Sequence, residues 1–342
     1  MNDTTKIYYE ADANLDLLND KTIAIIGYGA QGRAHAMNLR DSGCQVVVGQ
    51  RPGTGWDTAV ADSFEPMSIA EAAGQADIVN VMLPDEVHGA VYATDIGPHM
   101  KSGQIVMTCH GFSFHYDLIQ PPSGVDRLLV APKGQGHMVR NEYERGAGVP
   151  CLIATGDDRR EDTFAIGLAY AKAIGGTRAG VIPTTIAAET ETDLFGEQAV
   201  LCGGVTALVK AGFDTLVEAG YQPELAYFEC MHELKIVVDL LHRGGLAQMR
   251  KAISNTAEYG DYVTGPRVID EHVQDSMKQI LAEIKSGKFA DRFIKQHEAG
   301  GDEMDQLRKE TESLLIESVG AKLRGLMPWL ESEQSSDNEQ RK

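Results

Sequence analysis

Residues 22–32 restrict what this chain can fold into more than any other stretch. Thr22-Ile-Ala-Ile-Ile26 is a short, unbroken apolar run, the pattern of a strand buried on both faces. It leads without a spacer into Gly27-Tyr-Gly-Ala-Gln-Gly32, and residues 33–42 then read as a helix. Strand, glycine turn and helix in that order are the fingerprint of a dinucleotide-binding unit. The first glycine allows the tight turn, the second lets backbone approach a pyrophosphate, and the third lets the helix lie close on the strand. The helix N-terminus then turns its unpaired N–H groups toward the phosphates. The competing reading is a glycine-rich turn with no ligand; the flanking strand and helix favour the dinucleotide.

Further short apolar runs recur at 46–48, 78–82, 104–109, 128–131 and 151–154, separated by helical or loop stretches. That alternation predicts a parallel sheet with helices on both faces. The pattern changes near Val181-Ile-Pro183, beyond which no strand alternation is found. Segments with 3.6-residue periodicity follow at 197–219, 223–241 and 274–285, punctuated by Gly244-Gly245 and Gly300-Gly301 as helix ends. The expected architecture is α/β: a Rossmann-type doubly wound sheet over 1–182, an all-helical domain over 183–328, and a polar, disordered tail at 329–342.

The chain has 342 residues and a formal net charge of −19. So acidic a surface argues against nucleic acid or an anionic membrane as partner, because both need basic patches. The five cysteines, at 44, 109, 151, 202 and 230, show no CxxC spacing and read as reduced thiols of a cytoplasmic protein. No signal-peptide pattern is found, and no apolar run was expected to approach the ~20 residues of a membrane span.

Two acidic pairs are candidates for metal binding. Asp193 and Glu197, and Glu229 and Glu233, are each four residues apart and so share a helix face. Apolar residues surround them, including Leu194, Phe195, Val200, Leu201, Met231 and Ile236. Four carboxylates near a core repel one another and lose hydration, and hard divalent cations compensate both. The same spacing also describes an ordinary acidic amphipathic face. His232 points about 100° away from Glu233 on a helix, which argues against it as a ligand.

His110 follows the strand at 104–109, and Lys133 follows the one at 128–131. Ligands of open α/β sheets bind beyond the carboxyl ends of strands, so the His could move a proton and the Lys could stabilise an oxyanion. Position is the only argument, and taken alone each reads more readily as a loop residue. Past the second strand, Arg51 and Thr54 could hold a 2′-phosphate, whereas Asp57 would disfavour it; Arg51 also reads as a solvated loop charge.

Four longer motifs resemble one family closely: Tyr8-Tyr-Glu-Ala-Asp-Ala-Asn-Leu-Asp-Leu-Leu18, Glu189-Thr-Glu-Thr-Asp-Leu-Phe-Gly-Glu-Gln-Ala-Val-Leu-Cys-Gly-Gly204, Phe228-Glu-Cys-Met-His-Glu-Leu-Lys235 and Ile253-Ser-Asn-Thr-Ala-Glu-Tyr-Gly-Asp-Tyr-Val-Thr-Gly-Pro266. The chain resembles ketol-acid reductoisomerase (acetohydroxy acid isomeroreductase) in its short, class I form, over residues 6–328. The resemblance implies Mg²⁺-dependent alkyl migration of 2-acetolactate or 2-aceto-2-hydroxybutyrate, then reduction by NADH or NADPH to the 2,3-dihydroxy acid, in valine and isoleucine synthesis. It implies two Mg²⁺ per site, held by Asp193 as bridging ligand and Glu197, with Glu229 and Glu233 supplied by the neighbouring subunit. It implies a substrate-carboxylate contact at Ser254, catalytic roles for His110 and Lys133, and cofactor contacts at Gly27, Tyr28, Gly29, Ala30, Gln31, Gly32, Arg51, Thr54 and Gly136. It also implies an interlocked, knotted helical domain in a homodimer or larger assembly. Gln135 stands where the family usually has proline, and Arg33 where histidine is frequent. The 51–57 loop is one residue short and lacks a second serine, so relaxed or NADH-leaning cofactor use is expected. The alternatives are a metal-independent NAD(P)-dependent hydroxyacid dehydrogenase, and a cofactor-binding protein without chemistry.

Overall fold

The computed structural model describes residues 5–157 and 159–327, so the tail expected at 329–342 lies outside the described residues. The chain divides into two compact units at Thr190–Glu191.

The first unit alternates strands and helices: β1 (Thr22–Ile26), α1 (Ala30–Asp41), β2 (Gln45–Gly49), α2 (Thr54–Ala61), α3 (Ile69–Gln75), β3 (Ile78–Val81), α4 (Asp85–Val91), β4 (Ile105–Thr108), α5 (Phe112–His115), β5 (Asp126–Pro132), α6 (Gly136–Glu144), β6 (Cys151–Thr155), α7 (Thr163–Ala173), α8 (Gly176–Ala179), β7 (Val181–Pro183) and α9 (Ile186–Gly196). The strands form one sheet in the order β2-β1-β3-β4-β5-β6-β7. Both faces are covered, which is why the strands read as unbroken apolar runs. On one face Ile23, Ile25, Ile78, Met107 and Leu128 pack with Leu39, Ile166 and Tyr170. On the other, Ala24, Ile26, Val79, Val81 and Val106 pack with Ile69, Ala72 and Phe114.

Two features depart from the expected parallel sheet. β6 runs antiparallel to β5, with Pro132 opposite Cys151. The Lys133 N–H donates to Pro150 O (2.8 Å), so α6 leaves and returns at the same end of the sheet instead of crossing it. Val181–Pro183, read as the place where strands stop, is itself a short strand parallel to β6. Its outer edge is paired by Tyr8, whose N–H and carbonyl both bond Val181 (2.9 Å each), so no bare edge is left there.

A polar cluster is sealed in this core. The Tyr170 hydroxyl lies 2.9 Å from His35 Nδ1 and accepts from Asn80 Nδ2 at 2.7 Å, all three residues being fully buried. Burial pushes the His35 imidazole down to about 3, so it stays neutral.

The second unit is helical: α10 (Gly203–Glu218), α11 (Pro223–Tyr227), α12 (Leu234–Ala252), α13 (Asn255–Val268), α14 (Glu271–Lys285), α15 (Lys288–Glu298), α16 (Asp302–Glu312) and α17 (Leu315–Arg324). Its core is small, built from Val209, Phe213, Ala226, Tyr227, Ile316, Val319 and Leu323. α13 and α16 bury no side chain. The helices expected to run unbroken over 197–219 and 223–241 each contain a wide π turn, closed by i→i+5 bonds: Cys202 N–H to Glu197 O (3.0 Å) and Glu233 N–H to Phe228 O (3.1 Å). α12 breaks at Gly245 (φ +70°), where the paired glycines predicted an end. Residues 186–218 are, by length and composition, apolar enough to cross a membrane, contrary to expectation, with only 11% of the most apolar window buried within the chain.

Candidate active site

The dinucleotide cradle follows from β1 and the turn after it. Gly27 has φ +98°, a conformation that side chains resist, and its N–H donates to Gly49 O (2.9 Å). Gly32 packs so closely that a Cβ there would lie 2.1 Å from Gly27 O. Gly29 begins α1 with no side-chain cap, and a Cβ on it would meet nothing within 4 Å. The first helical bond is Arg33 N–H to Gly29 O (2.8 Å), so the N–H groups of Ala30, Gln31 and Gly32 have no partner within the helix. This bare, uncapped N-terminus fits a pyrophosphate. α6 begins against it: a Cβ on Gly136 would sit 2.3 Å from Ala30 O, and Gln31 Nε2 donates to Gly134 O (2.9 Å). A cavity of about 470 Å³ runs from there along α1 and α6, past Ala34, Met37 and Arg140. The Tyr28 phenol is buried and donates to Asp62 Oδ2 (3.0 Å), leaving only its backbone in the turn. Arg51, Thr54 and Asp57 are exposed, Thr54 as the first residue of α2.

His110 and Lys133 both lie beyond carboxyl strand ends, after β4 and β5. His110 Nδ1 is 3.3 Å from Asp85 Oδ2. Asp85 opens α4, and one turn later the buried His88 locks that helix, with Nε2 2.7 Å from Leu83 O and Nδ1 2.6 Å from Ser113 Oγ. Burial pulls the His88 imidazole down, with Asp85 opposing it, so a neutral ring donates to Leu83 and accepts from Ser113. Lys133 Nζ donates to Glu189 Oε1 (2.7 Å), while Gly111 N–H donates to Glu189 Oε2 (2.8 Å). Glu189 is 1% exposed. One carboxylate of α9 therefore fixes both the ammonium and the loop that carries His110. The approach demands glycine: a Cβ on Gly111 would stand 2.3 Å from Thr190 Oγ1 and 2.9 Å from Glu189 Oε2. Burial pushes the neighbouring Cys109 thiol up to about 12, so it stays protonated beside the site.

Past Thr190–Glu191, a boundary that falls within α9, Asp193 is half-buried on the last turn of that helix, and Glu197, Glu229 and Glu233 are exposed. Glu197 opens one π turn, Glu229 lies within the other and Glu233 caps its end. The expectation that these acids crowd against a core of their own chain holds only in part: Leu194 and Ala199 are buried, whereas Val200, Leu201, Met231 and Ile236 are exposed. Among the described residues, the carboxylates of Glu229 and Glu233 make no hydrogen bond or ion pair. His232 packs edge-on against Phe228 (5.3 Å). An all-carboxylate donor set suits a hard divalent cation rather than zinc or copper. Ser254 is the N-cap of α13, its Oγ accepting from Ala257 N–H (3.2 Å).

Two residues of the site were not singled out from sequence. Glu189 precedes Asp193 by the same four-residue step that separates Asp193 from Glu197, so extending the acidic stripe by one turn would have found it. Asp85 follows β3 as Thr-Cys-His110 follows β4, but nothing local marked it.

Residues 17–180 match the family described as acetohydroxy acid isomeroreductase, NADPH-binding domain, and residues 186–329 match ketol-acid reductoisomerase, C-terminal domain. Among solved structures, an NADH-preferring ketol-acid reductoisomerase from an uncultured archaeon is 42% identical, covering 94% of this chain and 99% of its own, with a TM-score of 0.91. A semialdehyde dehydrogenase NAD-binding protein from Cupriavidus necator is 19% identical over 78% of this chain and 99% of its own, with a TM-score of 0.59, and shares the fold alone. The chain belongs to the ketol-acid reductoisomerase family, NAD(P)H-dependent enzymes of branched-chain amino acid biosynthesis that isomerise and reduce a 2-hydroxy-3-keto acid.

Proposed function

We propose that the chain works as a Mg²⁺-dependent ketol-acid reductoisomerase with relaxed or NADH-leaning cofactor use, its site completed by a second subunit in the cytoplasm. The observation that carries the reading is the hub at Glu189, which holds Lys133 and the His110 loop together in the crevice beyond β4 and β5. Asp193 and Glu197 would hold Mg²⁺, and Glu229 and Glu233 would serve the neighbouring subunit's site.

When bound, Mg²⁺ polarises the substrate's carbonyl and favours its ionised hydroxyl, and the nicotinamide supplies a hydride. The protein's own groups do the rest. With Asp85 accepting from Nδ1–H, His110 keeps Nε2 as its basic nitrogen and takes a proton there. Lys133, charged and held at 2.7 Å by Glu189, stabilises negative oxygen as it develops and can return a proton to it. Ser254, at the N-terminus of a 14-residue helix, adds a hydroxyl and a positive dipole end for the substrate's carboxylate.

One observation supports a second subunit and another the cofactor reading. Exposed apolar side chains are dense in the helical unit, among them Leu201, Leu208, Met231, Ile236, Tyr259 and Tyr262. A single copy leaves them in water, a pattern of association surfaces. For the cofactor, the family description names NADPH, whereas the archaeal structure is of an NADH-preferring enzyme. The short, exposed loop bearing Arg51, followed by Asp57 in the first turn of α2, supports the latter.

The test is oxidation of each cofactor with 2-acetolactate, with and without Mg²⁺. Turnover should vanish in EDTA and return with Mg²⁺. Metal-independent turnover would favour the hydroxyacid dehydrogenase instead. A hundredfold preference for NADPH at matched, subsaturating concentrations would overturn the cofactor reading.

A further inference from the structure

The loop at 51–54 hangs on α2, and α2 is poorly anchored by apolar packing: Ala59 is its only buried residue. Its position is set by polar contacts instead. At its C-terminus the Asp62 carboxylate accepts from Tyr28 Oη (3.0 Å), Arg33 Nε (2.6 Å) and Arg33 Nη2 (2.9 Å). The Asp62 carbonyl accepts from Arg40 Nη1 (2.5 Å). The Asp62 side chain is only 11% exposed. Three of these four bonds come from the phosphate turn itself, since Tyr28 lies between the first two glycines and Arg33 in the first turn of α1. The chain then reverses through Ser63 at φ +66°, a conformation that a serine adopts only when its surroundings dictate it. That reversal puts Phe64 edge-on to Tyr28 (5.7 Å) and under the Arg40 guanidinium (4.6 Å). Burial and the adjacent Asp62 charge push the Tyr28 phenol up, so it remains a donor at any working pH.

A bound dinucleotide must meet two places at once: the pyrophosphate on the α1 N-terminus and the adenosine ribose at the 51–54 loop. Its affinity depends on those places keeping a fixed separation. We infer that Asp62 is a positioning residue for the cofactor: by tying the end of α2 to Tyr28 and Arg33, it fixes the 51–54 loop relative to the phosphate turn. The inference rests on the dinucleotide reading of residues 27–32. It assigns Asp62 no contact with the cofactor and no part in chemistry.

The experiment compares wild type with Asp62→Ala and Asp62→Asn. Dissociation constants for NADH, NADPH and nicotinamide mononucleotide would be measured by fluorescence or calorimetry, beside kcat and KM for both cofactors. Asp62→Ala should weaken both dinucleotides about tenfold or more. It should leave the mononucleotide, which lacks the adenosine half, within twofold, and kcat at saturating cofactor within about twofold. Asp62→Asn keeps two acceptor positions only in part and should fall between. A purely structural role would instead lower kcat, or weaken mononucleotide and dinucleotides alike, and either result overturns the inference; so does dinucleotide binding within twofold of wild type. If Asp62→Ala fails to fold, Arg33→Gln removes the paired bonds while keeping those from Tyr28 and Arg40, and the same criteria apply. Should wild type bind dinucleotides but not turn over acetolactate, the proposed reaction fails while the binding test of Asp62 still stands.

Discussion

Replacing Glu189 by Gln tests whether its charge, rather than its shape, organises the site. The amide keeps an oxygen that can still accept from Gly111 N–H, so the loop contact at 2.8 Å survives. What disappears is the counter-charge of Lys133. At 2.7 Å, unit charges attract by about 6 kcal/mol at an effective dielectric of about 20 and by about 1.5 kcal/mol in water. The Glu189 side chain is fully buried but the Lys133 side chain is 31% exposed, so solvent screens part of the attraction, and a loss of about 2–3 kcal/mol is expected. If the ammonium acts on the reacting oxygen, that loss lowers kcat/KM for 2-acetolactate about 30- to 150-fold. The pH–rate profile carries an independent signature. With this negative charge gone the ammonium is harder to keep protonated, so the basic limb should move to lower pH. Steady-state rates from pH 6 to 10, at saturating Mg²⁺ and cofactor, report both effects. A kcat/KM within threefold of wild type, with the basic limb unmoved, would refute the reasoning.

Stability should fall in acid through His35, whose folded value of about 3 is well below its ordinary 6.5. The neutral buried ring contributes fully above pH 6.5; below that the unfolded chain takes up a proton that the folded chain refuses, at about 1.4 kcal/mol per pH unit toward pH 3. His88 shifts in the same direction. Denaturant midpoints at pH 7.5 and 5 would show the loss, and His35→Gln should shallow the slope. Gly111→Ala would place a methyl against Thr190 Oγ1 and Glu189 Oε2, so it should cost about 1–3 kcal/mol in urea denaturation and at least tenfold in turnover. Asp193→Asn and Glu229→Gln should each be inactive alone. Co-refolded in equal amounts, they should regain about a quarter of wild-type activity, because half the dimers are mixed and each mixed dimer holds one intact shared site; no recovery would mean that each site is built within one chain.

How much of this was legible in the sequence depended on whether a feature is local. The dinucleotide unit was read correctly because strand, turn and helix are contiguous, and Gly27 and Gly32 answer to steric demands within the same eleven residues. The reversal of β6 was not, because it depends on where α6 packs, and a parallel and an antiparallel strand have the same composition. The π turns left a trace that the periodicity count missed: a Cβ on Gly203 or Gly204 would stand 2.2 or 2.1 Å from the oxygens of Gln198 and Ala199, so the paired glycines mark the turn that presents Glu197. Wide turns of this kind rotate the face of a helix along its length. The i,i+4 argument that joined the acids into pairs therefore could not have given the direction in which each pair faces.

The acidic pairs also show why a correct pattern can suggest a wrong environment. Their apolar neighbours implied a core, and in the single chain Leu194 is buried but Val200, Leu201, Met231 and Ile236 are exposed. Patterning reports that a surface is buried, not by what. A helical unit whose α13 and α16 bury nothing, and whose α14 and α15 bury one residue each, has too little interior of its own for its apolar content. The same deficit that calls for a second copy would bring Glu229 and Glu233 of one subunit within reach of the other's Asp193. Assembly and catalysis would then draw on one face. A substitution there, such as Leu201→Lys, should disperse the assembly and abolish Mg²⁺-dependent turnover together, while the NADH affinity set within residues 27–62 stays within twofold. Sedimentation and cofactor titration on that one variant separate the two outcomes, and an active monomer would break the link between the exposed face and the site.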